Sequence, residues 1–465
     1  MREPRSIRQF HRALRIGAMI VPLLALLLFA WPQNSAAQAS PPAAAPTQSA
    51  SVATHPAQEP FTGYALPPDL YRKAHHLGQI EFWGAIVSFL YSVLILLIVL
   101  QTRLAPKFRD WAERTTKLRF VQSTIFAPLL IIALDVLGLP VDAAEHWISR
   151  KFGLSVQSWP SWFADWSKSA LLVIVLATFL VWLLYVALRR SPRRWWFYFW
   201  IATIPITIFL VFVQPVFVDP LFHKFEPLAQ KDAPLAAALE KMVQRTGENI
   251  PESRMYWMAA SEKTNELNAY VSGIGASKRI VVWDTTIARL DTPQTVFVVG
   301  HEMGHYVLNH IPKGIAAGEA FLLVVFYLGY LALNWLLSRW GPRWGIREAS
   351  DWASLPALLL LLTIFSFAAN PIVNAFSRHI EHQADQYGLE VTHGLTPDSS
   401  RVAAQSFQIL GKIDLSDPAP NPVDVFMFYS HPTIAERIHF ALTYDPWSHG
   451  GRGQFVKENL YPPIS

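Results

Sequence analysis

The chain has 465 residues, of which 52% are hydrophobic and 16% charged, with 18 Trp, 29 Phe and a net charge of +5. Soluble domains carry about 25% charged residues, so this composition describes a membrane protein with soluble parts. Its basic residues sit in short clusters beside apolar runs, which argues against a nucleic-acid surface. The absence of cysteine excludes disulfides, thiolate metal sites and a cysteine nucleophile.

Residues 1–39 read as a signal peptide or signal anchor. Arg2, Arg5, Arg8, Arg12 and Arg15 precede the apolar run Ile16–Trp31, and Ala37-Gln38-Ala39 offers a small-residue cleavage site. Residues 40–63 are rich in Ala, Pro, Ser and Gln without periodicity and are expected to be a disordered linker. Four uncharged or nearly uncharged runs follow within 64–218, at Phe82–Leu100, Phe120–Val141, Ala170–Leu188 and Trp195–Val218. Two more, Ala320–Ser338 and Trp352–Ser377, lie within 313–377. A helix rising about 1.5 Å per residue crosses a hydrocarbon core of about 30 Å in any of these runs, which predicts six spans. Residues 16–31 would add a seventh if retained. Asp135 falls inside the second run, where it would line a polar interior between helices. Glu319, at the edge of the fifth, is expected at a wet interface.

The loops set an orientation. Arg103, Lys107, Arg109, Arg114, Lys117 and Arg119 crowd one loop, Arg189, Arg190, Arg193 and Arg194 another, and Arg339, Arg343 and Arg347 a third. The intervening segment Asp142–Lys168 balances its charges. The positive-inside rule puts the basic loops in the cytoplasm. The expectation is therefore a multi-pass bacterial inner-membrane protein. Its segments 219–312 and 378–465 would lie on the extracytoplasmic side.

Segment 219–312 reads as soluble. Asp232 is placed to cap a helix over Ala233–Thr246, and Gly247 and Pro251 stop it. Arg254–Ala260, Leu267–Ile274 and Arg279–Trp283 are short, rich in β-branched and aromatic residues and separated by turn residues, which predicts three strands. Asp291-Thr292-Pro293 then opens a helix, with a capping side chain followed by proline in the first turn, and Pro312 is expected to end it. After the sixth span, Ser377–Asp385 should continue as a helix leaving the membrane. Further helices are expected around Val402–Lys412 and Thr433–Ala441.

The helix after Asp291 carries His301-Glu302-Met303-Gly304-His305. Histidines at i and i+4 lie on one face of a helix, so both imidazoles can reach one Zn²⁺ at roughly 2.0–2.1 Å. Glu302 is placed beside them to take a proton from water. A catalytic zinc site needs a third protein ligand and an open position. His310, His379, Glu381, His382, Asp385 and His431 are the candidates. On a continuous helix His310 points away from His305 and reads as an ordinary polar residue. Glu381 and Asp385 share a face, so one could bind metal while the other orients a ligand histidine.

The pairing of H-E-M-G-H with Glu381-His382-Gln383-Ala384-Asp385, two spans downstream, resembles the type I CAAX prenyl protease family of integral-membrane zinc peptidases. The resemblance runs from about Tyr64 to Ile438. It includes Leu139-Pro140 with Phe152-Gly153, Pro220-Leu221-Phe222 with Phe225-Glu226-Pro227-Leu228, Asn268-Ala269-Tyr270, and Ser430-His431-Pro432 with Glu436-Arg437. With the six to seven spans read from the apolar runs, the expected fold is a mainly α polytopic bundle carrying a small α+β zinc metallopeptidase domain. The resemblance also implies that His301, His305 and Glu381 bind one Zn²⁺, that Glu302 is the general base, and that Asp385 is a carboxylate near the first histidine that either orients it or handles protons in catalysis. Asn268, Ala269 and Tyr270 would form a strand beside the active site on which an extended substrate can pair. His431 and Arg437 would lie near the metal and stabilise the oxyanion. The implied partners are a peptide or protein substrate, lipid-modified or membrane-embedded, and the bilayer. Thr433 departs from the resemblance, standing where that family usually has a second proline. Two rivals have their own features: a heat-shock-type quality-control metalloprotease, expected to have about four spans, and a catalytically silent membrane protein with a structural metal.

Overall fold

The computed structural model describes residues 63–273 and 277–456. The expected leader over 1–39 lies outside the described residues, as does the linker apart from Gly63. Each of the six predicted spans is a helix. These are α1 (Pro68–Gln101), α3 (Arg119–Lys151), α4 (Trp159–Arg190), α5 (Trp195–Val213), α8 (His310–Trp344) and α9 (Leu355–Thr392). Helix α2 (Leu104–Thr115) forms most of the first basic loop. Five of the six are long and apolar enough to cross a membrane; α5 is shorter and passes into a π-helical segment, Gln214–Val218. The bundle is built as lipid-facing helices are. On α1, Trp83, Val87, Leu90 and Leu94 form an exposed apolar stripe at helical spacing, while Leu77, Leu96 and Val99 pack inward. Glu319 is not at a wet interface. It is buried between α5 and α8, where its carboxylate accepts hydrogen bonds from Thr207 (2.6 Å) and Thr203 (3.2 Å).

The part beyond the bundle has a four-stranded sheet in the order β1 (Phe225–Pro227), β2 (Met255–Met258), β4 (Arg279–Trp283), β3 (Ala269–Ser272). β2 and β4 are parallel, and the two outer strands pair antiparallel to their neighbours. β1 has only three residues and ends in proline, so no alternation announced it. Helix α6 (Ala233–Thr246) starts where Asp232 accepts from the Leu235 N–H (3.0 Å) and ends at Gly247 with φ of 72°. Helix α7 (Thr292–Val307) opens with a capping box in which Asp291 and Gln294 satisfy each other's backbone N–H. It ends earlier than expected. Asn309 adopts φ of 57°, and His310 begins α8, with Pro312 in that helix's first turn, where no intrahelical donor is needed. Helices α10 (Ser399–Ile413), α11 (Pro422–Phe428) and α12 (Ile434–Thr443) complete the part. Thr433 forms a capping box with Glu436 at the start of α12.

Helix α9 has 38 residues, longer at about 1.5 Å per residue than a core of about 30 Å requires, so its last turns project into the soluble part. There it crosses α7 at close range over a notch of glycines. A Cβ on Gly388 would stand 3.1 Å from the His301 backbone nitrogen, and one on Gly304 3.2 Å from the Ala384 Cα. Both obstacles are backbone and cannot rotate away. Gly388→Val is therefore expected to lower stability by about 1–3 kcal/mol and to weaken metal retention. Thermal unfolding and metal content measured on the same purified sample check both. A variant as stable as the parent, with full metal, would mean that the helices can separate without cost.

Candidate metal centre

Two elements remote in sequence build the centre. Helix α7 presents His301 and His305 on one face, and the projecting end of α9 presents Glu381 to them. His301 Nε2 lies 3.3 Å from Glu381 Oε2, His305 Nε2 lies 3.5 Å from Glu381 Oε1, and the two Nε2 atoms are 3.2 Å apart. One donor atom from each of these residues lies within 4.8 Å of the other two. Among the described residues Glu381 Oε2 is buried with no hydrogen bond. Acceptor atoms thus face one another in a buried space, an arrangement that costs free energy unless a cation lies between them. Two imidazoles and a carboxylate suit zinc, and three protein ligands leave a fourth position for water or substrate.

The surroundings hold these groups in register. Asp385, one turn beyond Glu381, meets His301 Nδ1 at 2.8 Å. The His301 Nδ1–H donates to that carboxylate, which leaves the Nε2 lone pair for the metal. Arg437 on α12 grips Asp385 with Nε at 2.8 Å and a second, shorter contact from Nη2. This pair is fully buried, and the two-point geometry compensates the desolvation of both charges. Arg437, expected near the metal, engages Asp385 and lies 3.4 Å from His301 Nδ1. His431 Nε2 lies 3.1 Å from Glu381 Oε2 and its side chain remains partly accessible.

Glu302 is nearly buried, with its Oε1 3.9 Å from His301 Nε2, beside the ligand cluster and outside it. Burial pushes its carboxyl above the ordinary range, with His301 and His305 opposing. A carboxylate tuned upward is a better proton acceptor at neutral pH.

Asn268, Ala269 and Tyr270 lie at the start of β3, which is an edge strand, and all three are buried. The Asn268 backbone is tied to Thr286 Oγ1 by its N–H (2.8 Å) and by its carbonyl (2.7 Å), and the Tyr270 hydroxyl donates to Asp219 (3.3 Å). Tyr306, next to His305, donates to the Gly273 carbonyl at 2.5 Å and so joins α7 to the end of β3. Sequence reasoning missed Tyr306. It also set aside His310, which lies against His305 because the chain reverses at Asn309.

A bundle of membrane helices joined to a small α+β part, with H-E-x-x-H on one helix and a carboxylate from a remote helix, is the layout of an integral-membrane metallopeptidase. Residues 229–444 match peptidase family M48, and residues 52–224 match the CAAX prenyl protease N-terminal region with five membrane helices. An uncharacterized metalloprotease, YhfN, of Bacillus subtilis (strain 168) is 35% identical over 394 residues, covering 82% of this chain and 89% of that protein. CAAX prenyl protease 1 of Saccharomyces cerevisiae is 25% identical over 399 residues, covering 80% and 86%. The crystal structure of S. mikatae Ste24p shares the fold, with a TM-score of 0.70 at 24% identity over 82% of this chain and 90% of that one. The chain belongs to peptidase family M48 and is a multi-pass membrane metalloprotease.

Proposed function

We propose that this chain is a zinc-dependent endopeptidase in which His301, His305 and Glu381 hold the ion, Glu302 moves the proton, and His431 faces the reacting carbonyl. The observation that carries this reading is the convergence of three metal-binding side chains on one buried point with Glu302 alongside. Zinc held there supplies a Lewis acid that polarises a scissile carbonyl and lowers the pKa of water towards ~7. Glu302 accepts the proton of the attacking water and delivers it to the departing amine. His431 is the accessible donor beside Glu381. Donors of this kind, aimed at an oxyanion, are worth about 2.7–4 kcal/mol in the transition state. Asp385 and Arg437 act through His301 by fixing its ring. The β3 edge beginning at Asn268 is where an extended substrate would add as a strand, held by main-chain hydrogen bonds. The basic loops support a cytoplasmic placement for themselves and an extracytoplasmic one for the centre, in a bacterial inner membrane.

The test uses purified full-length protein with farnesylated and unmodified peptides of one sequence, with and without a zinc chelator. Cleavage that stops on chelation and returns with added zinc is expected. Faster cleavage of the farnesylated peptide would assign lipid-directed processing of the kind that the CAAX prenyl protease name describes. Equal cleavage of both would assign recognition to the peptide chain alone. No cleavage of either by zinc-loaded protein would overturn the endopeptidase reading.

A further inference from the structure

His301 has a charged partner for its outer nitrogen, whereas His305 has a neutral one from a different part of the chain. His305 Nδ1 faces His310 Nδ1 at 3.2 Å. On its other side His310 Nε2 meets the Gln383 carbonyl oxygen at 3.0 Å, and the Gln383 amide nitrogen meets His379 Nε2 at 3.2 Å. The order of donors along this chain is determined by one atom. A carbonyl oxygen only accepts, so His310 Nε2 carries the proton, and in a neutral ring Nδ1 is then a lone pair. That lone pair accepts from His305 Nδ1–H, which leaves His305 Nε2 unprotonated and directed at Glu381 and His301. The Gln383 amide then donates to His379, which lies at the surface.

The geometry of the backbone makes this contact. The turn at Asn309, with φ of 57°, starts a new helix and brings His310 back over His305, edge to face with ring centroids 5.1 Å apart. His310 is buried, and Gln383 sits on α9 between Glu381 and Asp385, so both helices of the centre contribute to the chain. We infer that His310 and Gln383 are positioning residues that lock His305 in its Nδ1–H form, so that its Nε2 is always the metal-binding atom. Histidine ligands gain affinity from such an outer partner, and losing it typically costs about 10–100-fold in metal affinity. The inference rests on His305 being a zinc ligand.

The measurement is zinc affinity of the full-length protein by competition with a chromophoric chelator, with thermal unfolding of the zinc-free protein alongside. His310→Phe keeps the ring and removes both nitrogens; its zinc Kd is expected to rise about 10–100-fold with unfolding of the zinc-free protein unchanged. Gln383→Met, at a partly exposed position, removes the carbonyl and should weaken zinc binding in the same direction; it also serves if His310→Phe does not fold. Gln383→Glu keeps an acceptor there and should retain the parent affinity. Parent affinity in His310→Phe, or equal weakening in Gln383→Met and Gln383→Glu, would overturn the tautomer lock. His305→Ala separates this from the underlying site: if that variant keeps the parent zinc affinity, His305 is not a ligand and the lock fails with it.

Discussion

Glu302→Gln is expected to retain one zinc per chain and to lose peptidase activity by about 10²–10⁴-fold, the range that a positioned acid–base group contributes. The substitution keeps the shape and the buried position and removes only the capacity to accept a proton. Glu302 Oε1 is 3.9 Å from His301 Nε2, whereas Glu381 places an oxygen 3.3 Å from that nitrogen, so the ligand cluster does not depend on Glu302. The check pairs kcat/KM on a fluorogenic peptide with metal content of the same preparation. Metal loss would make Glu302 a ligand. Activity within a few-fold of the parent would place the base elsewhere.

Glu381→Ala is expected to lose zinc and activity together. It removes the proposed ligand that α9 contributes, and it leaves two imidazole nitrogens facing each other at 3.2 Å without that carboxylate. The fall in zinc affinity should exceed the about 10–100-fold that loss of an outer partner costs. A second consequence concerns folding. A ligand bound only by the folded state stabilises it by mass action, so the parent should unfold at higher temperature as zinc is added. In Glu381→Ala that dependence should disappear. A variant holding stoichiometric zinc would mean that the third ligand is another group, with His431 the nearest alternative at 3.1 Å from the lost oxygen.

Much of this was legible in the chain because it is local. The six apolar helices follow from hydropathy and length, and five of them are long enough to cross a membrane. The α6 and α7 starts follow from Asp232 and from Asp291 with Pro293, whose capping side chains and first-turn proline act on the residues next to them. The pairing of His301 with His305 follows from helical period alone. Other features have signals that are short or cancelled by context. β1 is too brief to show alternation. Pro312 reads as the end of α7, but a proline is tolerated in a first turn, and the break falls at Asn309 in a left-handed conformation. On a helix continued through that break His310 points away from His305, and the break is what brings it back.

Glu319 shows the same limit in the membrane. Its position near the end of a run suggested water, but two threonines on α5 are close enough to satisfy its carboxylate in a buried place. For Arg437 the resemblance implies a place near the metal, and the packing of α12 against α9 sets its guanidinium on Asp385.

By itself the sequence determined the class of protein, the helix bearing His301 and His305 on one face, and the Glu302 carboxylate beside them. These depend on residues within a few positions of one another, whose geometry is set by the backbone period. Only the tertiary structure decided how the glycines of α7 and α9 let the two helices touch. It alone brought Glu381 to the histidines, placed Arg437 behind Asp385, and turned His310 back onto His305. Those contacts join residues far apart in the chain, and their distances are fixed by how whole helices pack.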